Sequence, residues 1–333
     1  MHKRFNIFDK MIVPADNDSC VIDFYINPDD SDKQTILKDL DFDEHTLVSS
    51  LDADEISRIE FEKDYTFIIW KRPNNYSFDS KELNFKVSSI GFILSKDNIT
   101  IILADDYELY GRREFNKISS LTDYFLKILS YIIRHYVDHI KAINIMSKEL
   151  QDKINISFEN KYLIQMFNLG ESLVYYIDAI GANNTVLAKL KNNAKKLGFS
   201  DDEIDTIDDL IIENNQCYKQ AEIYSTILSG LMDARASIVN NNMNVLLKKL
   251  TIINIIFLPL NLIAGIGGMS EFSEATTGIS WEISYTVFII SMIFVGWLSY
   301  IALSKIDVGN SRKSIKKYKN LKLKIKRFFK ILS

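Results

Sequence analysis

The chain has 333 residues, 44 acidic and 40 basic side chains, and a net charge of −4. Only 2 Cys, 4 Pro and 12 Gly occur, which excludes a collagen, a disulfide scaffold and a Pro/Gly-rich disordered chain. A mean hydropathy of −0.03 resembles that of a soluble protein, but it averages two unlike parts: residues 1–249 carry net −11 and residues 250–333 net +7.

Residues 1–115 read as a small cytoplasmic α/β domain. Apolar runs predict strands over Val21–Ile26, Thr66–Lys71, Phe85–Ser95 and Asn98–Ala104, the last two joined by a turn at Lys96–Asp97. Helices are predicted around Ser31–Leu40, Asp43–Ser50 and Ala53–Glu62. Met1–Lys10 lacks the apolar core of a secretory signal. Cys20 and Cys217 are far apart and each alone, as expected in a reducing cytosol. Gly91 and Gly111 are isolated, with no Gly-rich phosphate loop around them. No Walker motif or nucleophile–base triad is evident, so the residues do not point to an enzyme.

Residues 116–249 read as long cytoplasmic helices ending in a stalk. Ile118, Leu121, Phe125, Ile128, Ile132, Tyr136, Ile140, Ile143, Met146, Leu150 and Ile154 recur at a mean spacing of 3.6, one face of a single long helix. His135 and His139 stand at i, i+4 on it, with no third metal ligand in view, and read as a surface pair. A second helix is predicted over Phe158–Leu197, stopped by Gly198. Ser200 and Glu203 form a capping box that opens a third. No Pro or Gly pair breaks the third helix before residue 250, so it is expected to run from Asp201 into the apolar block beyond. Some 65 residues at 1.5 Å each make a rod of roughly 100 Å, which needs its partner helices and copies of itself to cover it.

From Leu250 to Ser304 there is no Lys or Arg. The blocks Leu250–Gly268 and Ile283–Leu303 are each about 20 residues long, enough to cross a ~30 Å hydrocarbon core as helices. The expected layout is two transmembrane helices within 250–304, a short outer loop at 269–282 and a basic cytoplasmic tail at 305–333. The loop holds Glu271, Glu274 and Glu282 and no base, while Lys248, Lys249 and the tail are basic. The positive-inside rule then places both termini in the cytoplasm and the spans in the cell inner membrane. A basic tail just inside a membrane points to lipid headgroups rather than nucleic acid as its partner. The outer loop is too short for the extracellular domain expected of a two-span signal transducer.

Two spans cannot enclose a pore, but an oligomer can. Asn244, Leu247, Thr251, Asn254, Leu258, Asn261 and Gly265 follow one another at intervals of three or four along the first span. Amides at membrane depth face either water or protein. The stripe alone leaves both readings open, a pore lining or hydrogen-bonded glue between helices. The span's C-terminal end carries partial negative charge near Glu271 and Glu274, which favours cations at an entrance. Gly265, Gly267 and Gly268 would let the backbone turn and come close there.

The stretch Asn240-Asn-Asn-Met-Asn-Val-Leu-Leu-Lys-Lys-Leu-Thr251, followed by Phe257-Leu-Pro-Leu260 and Ala264-Gly-Ile-Gly-Gly-Met269, resembles the CorA family of divalent metal ion (Mg²⁺/Co²⁺) transporters. The resemblance implies an α+β membrane protein: an N-terminal α/β cytoplasmic domain, a long helical stalk and two C-terminal transmembrane helices in a funnel-shaped homopentamer. It implies that the first span lines the pore, through Asn244, Leu247, Leu250 or Thr251, Leu258 and Asn261; the stripe adds Asn254 and Gly265 to that lining. The entrance would hold Gly268, Met269 and Ser270, with Glu271 and Glu274 beyond. Rings of Leu247, Leu250 and Leu258 would gate by dewetting. A divalent cation, Mg²⁺ first, would be both substrate and possible regulator. The regulatory site would fall in the acidic cluster that opens the stalk, at Asp205, Asp208 and Asp209, with Asp209 the best positional match. A solvated face is the other reading of that cluster.

The sequence departs from the family at the signature, where Ser270 replaces Asn. A Ser ring would leave a wider mouth, which opens the ion's identity to Co²⁺, Ni²⁺ or Zn²⁺. A ZntB-like zinc transporter and a non-conducting CorA-like membrane pentamer are the alternatives.

Overall fold

The computed structural model describes residues 1–15, 20–39, 43–74, 84–107, 109–110, 115, 117–156, 160–275 and 277–301. The chain forms two compact units, Met1–Asp233 and one beginning at Ala234.

The first unit is built on a seven-stranded sheet of order β2-β1-β3-β7-β6-β5-β4. The strands are β1 (His2–Phe8), β2 (Met11–Pro14), β3 (Ile22–Ile26), β4 (Arg58–Phe61), β5 (Tyr65–Pro73), β6 (Val87–Ser95) and β7 (Ile99–Leu103). Among the described strands, β3 and β7 pair in parallel and the other neighbours are antiparallel. β5 and β6 are buried along most of their length because both faces of the sheet are covered. Alternate residues divide between the two sides. Phe67, Ile69, Ile93 and Ile102 pack with Ile36 of α1 (Asp30–Asp39) and Leu47 of α2 (Glu44–Leu51). Ile68, Trp70, Phe92 and Ile101 face α3 (Leu121–Ile156) and α4 (Asn160–Asn193).

The four strands expected from the sequence are β3, β5, β6 and β7, and Ser95 N–H closes the expected turn on the Asn98 carbonyl at 3.0 Å. Three strands have no counterpart in the expectation. β1 and β2 form a hairpin whose two turn residues, Asp9 and Lys10, are left-handed at φ 47 and 59. That is a two-residue primed turn made without glycine, so its usual signal is missing. The expected helix over Ala53–Glu62 is wrong: β4 occupies part of it. Arg58, Ile59 and Glu60 alternate at a sheet edge, and only Ile59 turns inward.

The long helices follow their periodicity. Phe125, Ile128, Ile132, Tyr136, Ile140 and Ile143 of α3 are buried in the core they share with α4 and the sheet. After α4 the chain turns at Gly198, with φ +82, and Phe199 N–H reaches back to the Ala194 carbonyl at 3.1 Å. The capping box forms: Ser200 N–H donates to Glu203 Oε2 at 2.8 Å, and Glu203 N–H to Ser200 Oγ at 3.3 Å. α5 then runs from Asp201 to Gly267, as expected for the third helix. α4 and α5 approach closely where Gly181 meets the Tyr218 ring, and Asn214 donates to the Ile180 carbonyl at 3.0 Å.

The second unit contains α5 from Ala234 onward, a short α6 (Ser270–Ala275) and α7 (Trp281–Ile301). α5 and α7 are both long and apolar enough to cross a membrane. The basic tail at 305–333 lies outside the described residues.

Candidate functional site

From residue 236 to 251 every α5 side chain is exposed within the chain. Beyond that, one face becomes half-buried at Ile252, Ile256, Pro259, Leu260, Ile263 and Gly267. α7 carries a matching face of Ser284, Phe288, Met292, Val295, Gly296 and Ser299. The faces meet at two glycines. A Cβ on Gly296 would lie 3.8 Å from the Leu260 side chain, and one on Gly267 would collide with the Phe288 ring. Gly267 is therefore level with Phe288, and Leu260 with Gly296, so the helices run antiparallel.

The stripe expected from the sequence lies on the other side of α5. Asn244, Leu247, Leu250, Thr251, Asn254, Leu258, Asn261 and Gly265 are all exposed. At about 100° per residue their mean direction is about 180° from the face that touches α7. Thr251 Oγ1 donates to the Leu247 carbonyl at 2.8 Å, which satisfies the hydroxyl along its own helix. Among the described residues, the Asn254 and Asn261 side chains make no hydrogen bond within the chain. An amide on a membrane helix needs water or a second polypeptide, and α7 is on the wrong side to help.

α5 ends tightly. Gly268 N–H donates to the Ala264 and Gly265 carbonyls at 3.1 and 3.3 Å, and Met269 N–H to the Ile266 carbonyl at 3.1 Å. These shorter-range bonds use up carbonyls that an α-helix end leaves open. Gly268, Met269, Ser270 and Glu274 are exposed at this turn; the Glu271 side chain lies outside the described residues. The three glycines expected at the mouth divide in role. Gly267 makes room for Phe288 of the same chain, and nothing within 4 Å crowds Gly265.

The acidic opening of α5 is similarly mixed. Asp205 and Asp209 are exposed, and Asp208 pairs with Lys191 at 2.5 Å. Glu203 instead bridges helices, accepting from Ser120 Oγ at 2.6 Å and from Thr122. Partial burial would raise its carboxyl, but the hydrogen bonds from Ser120, Thr122 and Ser200 outweigh burial and hold it below the usual range. Among the described residues of one chain, no three His, Cys, Asp or Glu side chains are placed to hold a metal ion.

The His135–His139 pair is not a surface pair, since His139 is buried and His135 half-buried. His139 is 2% exposed, with Nδ1 at 2.6 Å from the Tyr176 hydroxyl, and His135 Nδ1 is 2.7 Å from the Tyr107 hydroxyl. The rings meet edge to face at 4.3 Å in the aromatic packing between α3, α4 and the sheet. The i, i+4 spacing marks one helix face; here it is the inward one.

An α/β domain, long helices and two C-terminal spans, the first with an exposed polar stripe, define a membrane protein of the two-span transporter class. The chain belongs to the family described as CorA-like Mg²⁺ transporter protein, which it matches over residues 19–305. It is 26% identical over 265 residues to the cobalt/magnesium transport protein CorA of Methanocaldococcus jannaschii, covering 73% of this chain and 80% of that one. It is 24% identical over 256 residues to the protein of the same name from Thermotoga maritima, covering 74% and 71%. The complete structure of the CorA magnesium transporter from M. jannaschii has the same fold, with a TM-score of 0.74 at 20% identity over 91% of this chain and 96% of that one.

Proposed function

We propose that the chain is one subunit of a homopentameric divalent-cation channel in the cell's inner membrane, with both termini in the cytoplasm and α5 lining the pore. The observation that carries this reading is the position of the polar stripe, opposite the face of α5 that α7 occupies. With α7 as an outer helix, the stripes of several copies converge on one axis. Asn244, Thr251, Asn254 and Asn261 then offer rings of amides and hydroxyls to a cation that keeps its water. Leu247, Leu250 and Leu258 form the apolar rings between them, where a narrow passage closes by dewetting. Mg²⁺ sheds water reluctantly, so amide and hydroxyl rings that bind its hydration shell suit it.

Gly268, Met269 and Ser270 form the outer mouth, with Glu271 and Glu274 raising the local cation concentration. Asp205, Asp208 and Asp209 form the regulatory site, completed by a neighbouring subunit, and the basic tail contacts lipid headgroups. Ser270 is the position where the ion's identity is decided. Family membership and the two CorA relatives, whose names include cobalt and magnesium transport, favour Mg²⁺ or Co²⁺ over Zn²⁺ or Ni²⁺.

Flux into proteoliposomes with Mg²⁺, Co²⁺, Ni²⁺ and Zn²⁺ tests this reading. Mg²⁺ or Co²⁺ entry with a low-Mg²⁺ cytoplasmic side is the expected result. No flux of any of the four would end the channel assignment and leave a non-conducting pentamer. Entry of Zn²⁺ alone would make the protein a zinc transporter.

A further inference from the structure

Between Ala234 and Ile301 the chain holds four Trp and Tyr residues, and all stand at the ends of α7. Trp281 and Tyr285 occupy its first turns and Trp297 and Tyr300 its last. Their exposures are 72%, 51%, 58% and 63%, so all four rings are open within the chain: Trp297 and Tyr300 turn away from α5, and Trp281 and Tyr285 lie beyond the level of Phe288, where α5 ends. Between the two pairs α7 has no charged side chain. An indole or phenol ring is most stable where its body meets acyl chains and its N–H or O–H meets water. From Trp281 to Tyr300 the helix rises about 28 Å at 1.5 Å per residue, close to the ~30 Å of a hydrocarbon core.

The contacts between the two helices transfer this depth to α5. Moving along α7 from Gly296 to Tyr300 carries the level on α5 from Leu260 back to about Ile256. Moving from Phe288 to Trp281 carries it past Gly267, beyond the end of α5. We propose that the two aromatic belts of α7 bind the headgroup layers of the bilayer, so that hydrocarbon surrounds α5 only from about Ile256 to α6. Asn254 then lies at the cytoplasmic headgroups, and Thr251, Leu250, Leu247 and Asn244 lie below them in water. Asn261 is the one amide of the stripe at hydrocarbon depth, although the extent of the apolar block had placed Asn254 there too. The depth rests on the α5–α7 packing and on the chain's two spans; only the view that Asn261 faces an ion rests on the proposed pore.

Quenching of tryptophan by brominated phosphatidylcholines, with bromine placed near the headgroup or near the acyl end, reads the depth in vesicles holding the full chain. Trp70, buried at 0% exposure in the α/β core, gives a constant background. Trp297→Phe isolates Trp281, and Trp281→Phe isolates Trp297. With both replaced, Ile290→Trp marks the midplane of α7 and Phe257→Trp the belt level on α5. The expected ratio of shallow to deep quenching is above one for Trp281, Trp297 and position 257, and below one for position 290. A ratio below one at Trp297 or at position 257 would overturn the proposal, by moving the cytoplasmic boundary or by breaking the register between the helices. The measurement involves no transport, so a chain that conducts nothing leaves it intact, and a failed depth assignment leaves the flux test standing.

Discussion

The side-chain amide of Asn183, on α4, completes the backbone hydrogen bonding of Lys71 on β5. Asn183 Oδ1 accepts from Lys71 N–H at 2.9 Å, and Nδ2 donates to the Lys71 carbonyl at 2.8 Å. The pairing of β4 with β5 ends at Arg58 and Ile69, so the neighbouring strand does not reach Lys71. Asn183 replaces it, and also accepts from Ser57 Oγ at 2.7 Å. Buried backbone groups need such a partner. Asn183 is fully buried, so this contact fixes α4 on the sheet.

Asn183→Leu keeps the volume and removes all three bonds. It leaves a buried N–H, a carbonyl and a hydroxyl unpaired, at about 1–3 kcal/mol each if none relaxes. Thermal unfolding of the full chain, followed by circular dichroism, is expected to shift down by more than for a typical surface change. Asn183→Asp keeps the acceptor but loses the donor, and is expected to fall between the two. A wild-type unfolding temperature for Asn183→Leu would show that α4 docks by apolar packing alone.

Gly267→Ala places a methyl against the Phe288 ring. Overpacking of this kind costs about 1–3 kcal/mol. The expected outcome is lower thermal stability in detergent for Gly267→Ala, and partial recovery when Phe288→Leu is added. Additive losses in the double variant would mean that the two residues do not meet.

Acid stability depends on His139. Burial, and then the neighbouring His135, push its pKa down to about 3, whereas an unfolded histidine titrates near 6.5. The unfolded chain therefore takes up a proton first as the pH falls. The stability contributed by the neutral, buried ring is complete above about pH 6.5 and is lost progressively toward pH 3. His139→Phe keeps an aromatic ring and removes the titration. Its unfolding temperature is expected to fall less than the wild type's between pH 7 and pH 5. Equal slopes would place the acid sensitivity elsewhere.

Asn261→Leu is expected to reduce divalent-cation flux by at least tenfold, because it removes the amide ring proposed to hold the hydrated ion; tenfold corresponds to a barrier higher by about 1.4 kcal/mol. Asn254→Leu, at the headgroup level, is expected to reduce it less. Unchanged flux in Asn261→Leu, with intact assembly by size-exclusion chromatography, would assign the stripe to helix–helix adhesion.

Most of the long-range architecture was legible in the sequence because it is periodic. The α3 face from Leu121 to Ile154, the stop at Gly198 and the Ser200–Glu203 cap each follow from local rules that packing then obeyed, although Ile118, expected on the same helix, is buried just ahead of it. Strands buried on both faces, such as β5 and β6, read as apolar runs. β1 and the short edge strands β2 and β4 did not, since they gain their identity from pairing rather than from composition. The histidine pair was misplaced because spacing shows which residues share a face, not which way the face turns. The stripe on α5 was visible, but the face opposite it was not: Ile252, Ile256 and Ile263 are as apolar as their lipid-compatible neighbours, and only α7 distinguishes them.

The stretch of α5 between residues 236 and 251 has a consequence for how the protein is made. Ile238, Val239, Met243, Val245, Leu246, Leu247 and Leu250 are each at least 42% exposed within the chain. In the proposed assembly, a newly synthesised copy therefore presents an exposed rod of mixed apolar, Asn and Lys side chains, and its order depends on the concentration of sister copies. A substitution that weakens this rod then shows first as a lower amount of protein in the membrane, before any change in the behaviour of the copies that do assemble.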